Sequence, residues 1–205
     1  MPSAVPLAQR PKRADGRRNY DGILQAARAA FESQGTEASL EDIARSAGVA
    51  IGTLYGHFAT REALIEAAVR EGLESLCASA AAQENSAEPD VALAAWFRQA
   101  VIHCSIYRGL VGFLASSSYH EGTPLHHSCV KMHDTGGRLL ERAQRAGLVR
   151  ADLTPEHLFT MLTSAAWARE NDTPRSGGSE WLVDLLIEAM SQSADEAQLD
   201  GVRGT

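Results

Sequence analysis

Residues 39–58 constrain this chain more tightly than any other stretch. Two short helical patterns are separated there only by Ala47, Gly48 and Val49. That spacing fits a helix-turn-helix, in which two helices cross steeply through a short turn. Ser39 is a good N-cap for the first helix, with Asp42 three residues on. Leu40, Ile43, Ala44 and Ala47 form its inner face. Gly48 can take a positive φ at the turn, and Val49 can plug the gap between the helices. In the second helix, Leu54 and Phe58 lie four apart and point inward together. Ile51, Gly52 and Tyr55 then share the outward face, with Thr53 and His57 at its margins. An outward tyrosine beside two glycines is unusual in a helix that only packs, since each glycine costs about 1 kcal/mol relative to alanine. Glycines are useful where a backbone must come close to something, such as a DNA phosphate or base edge.

The rest of the chain is almost continuously helical in its apolar periodicity, so the class is all-α. A first helix should run from about Arg17 to just before Gly35, burying Ile23, Leu24, Ala27, Ala30 and Phe31. Thr60 caps a long fourth helix carrying Leu64, Ile65, Ala68, Leu73 and Leu76 on one side. After a polar connection around Pro89, residues 91–116 are helical with a break near 107–109. Thr123 with Pro124, and Thr154 with Pro155, are two N-cap and proline starts. The helices they open should end at Gly147 and near Glu170, and Ser179 should cap a last helix to about Ser191. The expected organisation is a basic flexible arm (1–16), a three-helix helix-turn-helix domain (17–62), a larger helical domain (63–191) and a disordered tail (192–205).

Net charge is −7, which taken alone argues against nucleic acid. The distribution reverses that impression. Up to Arg70 there are nine Lys/Arg against eight Asp/Glu, and beyond it ten against eighteen. Arg10, Lys12, Arg13, Arg17 and Arg18 face only Asp15 within the first eighteen residues. A basic arm on an acidic body suits a protein that touches phosphate with one end, though a solvated tail would look the same. Three irregularly spaced cysteines make no disulfide framework, and no apolar run would span a membrane. A cytoplasmic setting is the simplest reading. No nucleophile elbow, phosphate-cradling loop or metalloprotease motif is present, so no enzyme is expected.

Ile23-Leu24-x-Ala-Ala, Phe31-x-x-x-Gly35, Ser39-Leu40-x-Asp42-Ile43-Ala44, Ala47-Gly48-Val49, Gly52-Thr53-Leu54-Tyr55-x-His57-Phe58 and Arg61-Glu62 together resemble the N-terminal domain of the TetR family of transcriptional regulators. The resemblance runs without a gap over residues 17–64. It implies a DNA-binding regulator, most simply a repressor, that leaves a palindromic double-stranded operator when a small molecule binds. Residues 51–58 would then be the recognition helix in the major groove. Ile51 and Gly52 would approach base edges or thymine methyls, and Tyr55 a base or phosphate. Thr53, His57 and Arg61 would hold phosphates. Glu41 lies where family members often reach a base, and an acid there could only accept, for instance from cytosine. Arg17 and Arg18 could enter the neighbouring minor groove. Ser39, Leu40, Ala50 and Gly56 complete the DNA-facing set.

One helix-turn-helix reads few base pairs, so a homodimer is expected. The last two helices are apolar on more than one face and so must be buried on more than one face. Leu158, Met161, Leu162 and Ala165 from one helix, with Trp181, Leu182, Leu185, Leu186 and Ala189 from the other, are the candidate interface of a four-helix bundle. The segment between holds many aromatics and histidines. Trp96, Phe97, His103, Tyr107, Phe113, Tyr119, His126 and Met132, together with Trp167, are candidate walls for the pocket that the resemblance implies, suited to a small apolar or aromatic effector. Close-packed core is the alternative for any one of them. His126, Cys129 and His133 supply metal-ligand types on one helical face, but their spacing matches no metal motif, so no metal or other cofactor is expected.

Overall fold

A computed structural model describes residues 8–83, 88–112, 124–172 and 178–191, and the apolar periodicity becomes helix throughout them. Among the described residues eight helices follow one another: α1 (Ala14–Gln34), α2 (Leu40–Ser46), α3 (Ile51–His57), α4 (Arg61–Gln83), α5 (Pro89–Ile106), α6 (Pro124–Arg145), α7 (Pro155–Glu170) and α8 (Glu180–Met190). The only extended pairing among the described residues is a single antiparallel bridge between Val149 and Ser191. Phe113 and Tyr119 lie outside these residues, as does the expected tail.

The chain divides into two compact units. Met1–Ser75 with Cys104–Lys131 make the first, and Leu76–His103 with Met132–Thr205 the second. The sequence places its boundary at 62/63, whereas the division falls further along α4. The first half of α4 is hydrogen-bonded into the first unit, where Arg28 Nε (3.2 Å) and the Tyr107 hydroxyl (3.5 Å) both donate to the Ala68 carbonyl. The 107–109 break docks on the turn after α1. There the Thr36 N–H donates to the Arg108 carbonyl at 2.8 Å. Gly35 sits at φ +90°, and a Cβ on it would come within 3.0 Å of the Arg108 oxygen, so only glycine closes that turn.

In the first unit α1, α2 and α3 enclose a core of Tyr20, Ile23, Ala27, Phe31, Ile43, Leu54 and Phe58, all nearly or fully buried. Helix α2 opens as the sequence suggests, with the Ser39 hydroxyl accepting from the Asp42 N–H at 3.2 Å. Gly48 turns the chain at φ +69°. Helix α1 begins at Ala14, three residues ahead of its expected start. Before it the chain is folded back. The Ala8 carbonyl accepts from Arg70 Nη1 (3.2 Å), and Arg10 Nε donates to Asp21 at 2.8 Å. Residues 8–13 are therefore strapped to the unit rather than extended as an arm.

In the second unit, α7 starts on a reciprocal capping box in which Thr154 Oγ1 accepts from the His157 N–H and His157 Nδ1 accepts from the Thr154 N–H. Ser179 precedes α8 without making a side-chain cap. Trp96, 2 % exposed, lies over Gly136, where a Cβ would stand 2.4 Å from the indole ring. Gly136→Ala is therefore expected to overpack this contact and lower unfolding stability by about 1–3 kcal/mol, read from a urea titration. An unchanged midpoint would mean that the indole has room to move.

Candidate nucleic-acid interface

Two side chains fix how α3 is turned. Leu54 and Phe58 are both 0 % exposed. The Tyr20 ring lies 4.8 Å from that of Phe58 and meets His57 edge-on at 6.1 Å. Rotation of α3 about its axis would expose about two large apolar side chains, each worth roughly 1.5–3 kcal/mol. Its opposite face is consequently held outward. Gly52, Tyr55 and Gly56 are exposed, Tyr55 by 47 %, and Ile51, Thr53 and His57 are half-buried. The outward face is thus centred on the two glycines, with Ile51 closer to the core than the sequence suggests.

Those glycines have no internal reason to be glycine. A Cβ on Gly52 or Gly56 would meet nothing within 4 Å, and neither takes a left-handed φ. The fold would be better served by alanine at both positions. A backbone left bare on an outward helical face suits close approach by another molecule. Beside it lies a hollow of about 320 Å³ with Tyr55, Gly56 and His57 on one wall and Ala8, Gln9 and Pro11 on another.

The remaining DNA-facing candidates fare differently. Ala50 and Glu41 are exposed. Ser39 caps α2 and donates its hydroxyl proton to Glu41 at 3.2 Å. Leu40 is 6 % exposed, a core residue whose side chain cannot face DNA. Arg61 also departs from expectation. Its Nη1 donates to the carbonyls of Thr36 (2.8 Å) and Ala38 (2.6 Å), tying the α1–α2 turn to the start of α4. Carbonyls of buried residues such as Thr36 and Ala38 need a donor as much as a phosphate does, and these are already in reach. Arg17 and Arg18 are exposed on the first turn of α1, Arg18 paired with Asp15. Arg10 holds the Asp21 carboxyl below its ordinary pKa range through their hydrogen bond.

The effector candidates separate between the units. Trp96, Phe97 and Met132 are closed core in the second, and His103 there is half-buried. Tyr107 is buried in the first unit, and His126 is half-buried there. Trp167 is 60 % exposed and forms no wall. Burial pushes the Cys104 and Cys129 thiols up to about 12, which leaves them poor nucleophiles and poor redox sensors. Of the dimer candidates, Leu158, Leu162 and Ala165 are at most 2 % exposed and are already covered within their own chain. Trp181 (58 %), Leu185 (51 %) and Ala189 remain exposed, while Met161, Leu182 and Leu186 are half-buried. Trp167 is left as open to solvent as Trp181 and Leu185. Sequence reasoning missed Tyr20, which lies three residues before Ile23 on the same helical face and supports both Phe58 and His57.

Comparison with known proteins divides the chain into an N-terminal and a C-terminal part. Residues 23–68 match the family described as bacterial regulatory proteins, tetR family. Residues 88–191 match a second family, the C-terminal domain of SbtR-like transcriptional regulators, so the C-terminal part has a family pattern that the sequence reading did not identify. Among solved structures, a TetR transcriptional regulator from Streptomyces coelicolor is 34 % identical, covering 85 % of this chain and 99 % of its own, with a TM-score of 0.59. A TetR regulatory protein from Mycobacterium vanbaalenii is 28 % identical over 89 % of this chain and 100 % of its own, with a TM-score of 0.56.

Two substitutions separate an outward-facing role from an internal one. Gly56→Ala should raise the stability of the first unit by up to about 1 kcal/mol, and yet weaken DNA binding in a titration with labelled duplex. Unweakened binding would remove the reason given for the glycine. Arg61→Ala should cost about 2 kcal/mol in denaturant unfolding, because two carbonyls lose a charged donor. A purely phosphate-binding arginine would leave that transition where it is.

Proposed function

The chain belongs to the TetR family of bacterial regulatory proteins, DNA-binding transcriptional regulators that form dimers, and we propose that it acts as a repressor released from a palindromic operator by a small-molecule effector. The observation that carries the DNA-binding face is the outward, glycine-centred side of α3 with Tyr55 exposed beside it. Ala50, Ile51, Gly52, Tyr55 and Gly56 would enter the major groove, with Thr53 and His57 at the phosphates on either side. Glu41, on α2, would stand beside a base. Arg17 and Arg18, on the first turn of α1, would reach the neighbouring backbone or minor groove.

The dimer contact we assign to α7 and α8 is narrower than the sequence suggests. Trp167, Trp181 and Leu185 are its exposed anchors, with Met161, Leu182, Leu186 and Ala189 around them. Large aromatics bury about 150–250 Å² in all, so two tryptophans left roughly half in water still have on the order of 100 Å² each to bury, and with Leu185 they form the apolar centre of a larger contact. For the effector, Trp96 offers one pointer: its buried indole N–H has no acceptor among the described residues. A small aromatic or apolar molecule carrying an oxygen would satisfy it. Helix α4 contributes to both units. A ligand that favours one setting of α4 over another would change the spacing of the paired α3 helices and so the fit to a fixed operator.

Selection of bound sequences from random DNA tests the reading directly. The full-length protein should return a palindrome with half-sites about one helical turn, or a multiple, apart. Tyr55→Ala should abolish selection while sedimenting as a dimer, and Leu185→Asp should sediment as a monomer with weakened operator binding. Retained footprints in the first variant, or an unaltered sedimentation profile in the second, would count against the corresponding assignment.

A further inference from the structure

Residues 39–60 contain no Lys, Asn or Gln, and their only Arg is Arg45. That guanidinium is ion-paired with Asp42 at 2.6 Å on α2. Guanine is ordinarily read in the major groove by Arg or Lys, and adenine by Asn or Gln, through paired hydrogen bonds. Helix α3 carries none of those side chains. Its leading residues, the ones a recognition helix brings to base edges, are Ala50, Ile51 and Gly52. Ala50 and Gly52 are exposed and Ile51 half-exposed, and the Tyr55 ring stands one turn further on the same side. The His57 ring meets that of Tyr20 edge-on.

An apolar surface has one specific partner in the major groove, the C5-methyl of thymine. We propose that α3 reads its half-site chiefly through thymine methyl groups packed against Ala50, Ile51 and the Tyr55 ring. The open backbone at Gly52 lets the helix come near enough for those contacts. A Cβ at that position meets no neighbouring atom within 4 Å among the described residues, so the space it leaves is available to a base. The polar groups beside this patch are the Tyr55 hydroxyl and the half-buried Thr53 hydroxyl, and Glu41 on α2 adds an acceptor suited to an exocyclic amine. Sequence choice therefore rests on methyl burial rather than on bidentate hydrogen bonds. This rests on the assignment of α3 as the DNA-reading helix.

Uracil is thymine without the methyl and pairs identically. The test takes an operator selected by the full-length protein and replaces its thymines with uracil one at a time. Each contacted thymine should lose about 4-fold in affinity by fluorescence anisotropy, the equivalent of one methylene-sized group left unburied. With Ile51→Ala, the thymine–uracil ratio should collapse towards 1 at the position Ile51 covers, while other positions keep theirs. Ile51→Val, should the alanine variant fold poorly, is expected to shrink the same ratio in part. Equal affinity for thymine and uracil at every position of a selected operator would overturn methyl readout and leave DNA binding intact. Failure to select any sequence would instead overturn the assignment of α3 itself.

Discussion

Burial of Leu54 and Phe58 is the constraint on which the candidate interface depends. Helix α3 has seven residues, too few to hold a conformation by its own hydrogen bonds in water. Its existence and its rotation both come from two side chains sunk into the core of α1 and α2, with Tyr20 packed over Phe58. Because the helical repeat is fixed, inward Leu54 and Phe58 leave Gly52 and Gly56 pointing outward. The packing that makes the first unit a folded body thus also aims its bare backbone at solvent. Stability and recognition are set by opposite faces of one short helix.

Arg61 completes that frame from the other side. By bonding the Thr36 and Ala38 carbonyls it closes the turn between α1 and α2, and the same turn accepts the 107–109 break through Thr36 and Arg108. The Gly35–Thr36 turn is therefore held by α4 on one side and by the segment following α5 on the other. Any displacement of either support would be felt at the entrance to α2, within three residues of its N-cap Ser39. The coupling is through hydrogen bonds to main-chain groups, which are short-ranged and directional, rather than through a deformable apolar contact.

Much of this was legible in the sequence where one periodicity admitted one answer. Leu54 and Phe58 could only face inward together, and Gly48 could only mark a turn. The notion of an outward tyrosine with glycine neighbours followed from those alone. Legibility failed where one residue type serves two partners equally well. A guanidinium donates to a phosphate or to a carbonyl with the same geometry, and only the position of the α1–α2 turn decides for Arg61. Likewise an apolar helix such as α7 does not say which side its own chain covers. Leu158, Leu162 and Ala165 are covered internally and Trp167 is not, a choice made by contacts between elements distant in sequence. The strapping of residues 8–13 depends on Arg70, some sixty positions away, and no local pattern carries it.

The charges of the first unit extend the division between positioning and reading. Arg28, Arg45 and Arg70 are ion-paired within the unit, and Arg61 is spent on carbonyls. Lys12, Arg13 and Arg17 have no ion-pair partner among the described residues, and Arg18 has only an exposed one, Asp15. Exposed pairs of that kind contribute little and exchange readily for a better anion. Cations at the first turn of α1 also oppose the helix dipole, an arrangement that a neighbouring phosphate would relieve. Positive charge thus gathers at the start of α1 while α3 presents an apolar face. Phosphates would fix where the domain sits, and the uncharged helix, relieved of that task, can be given over to fit.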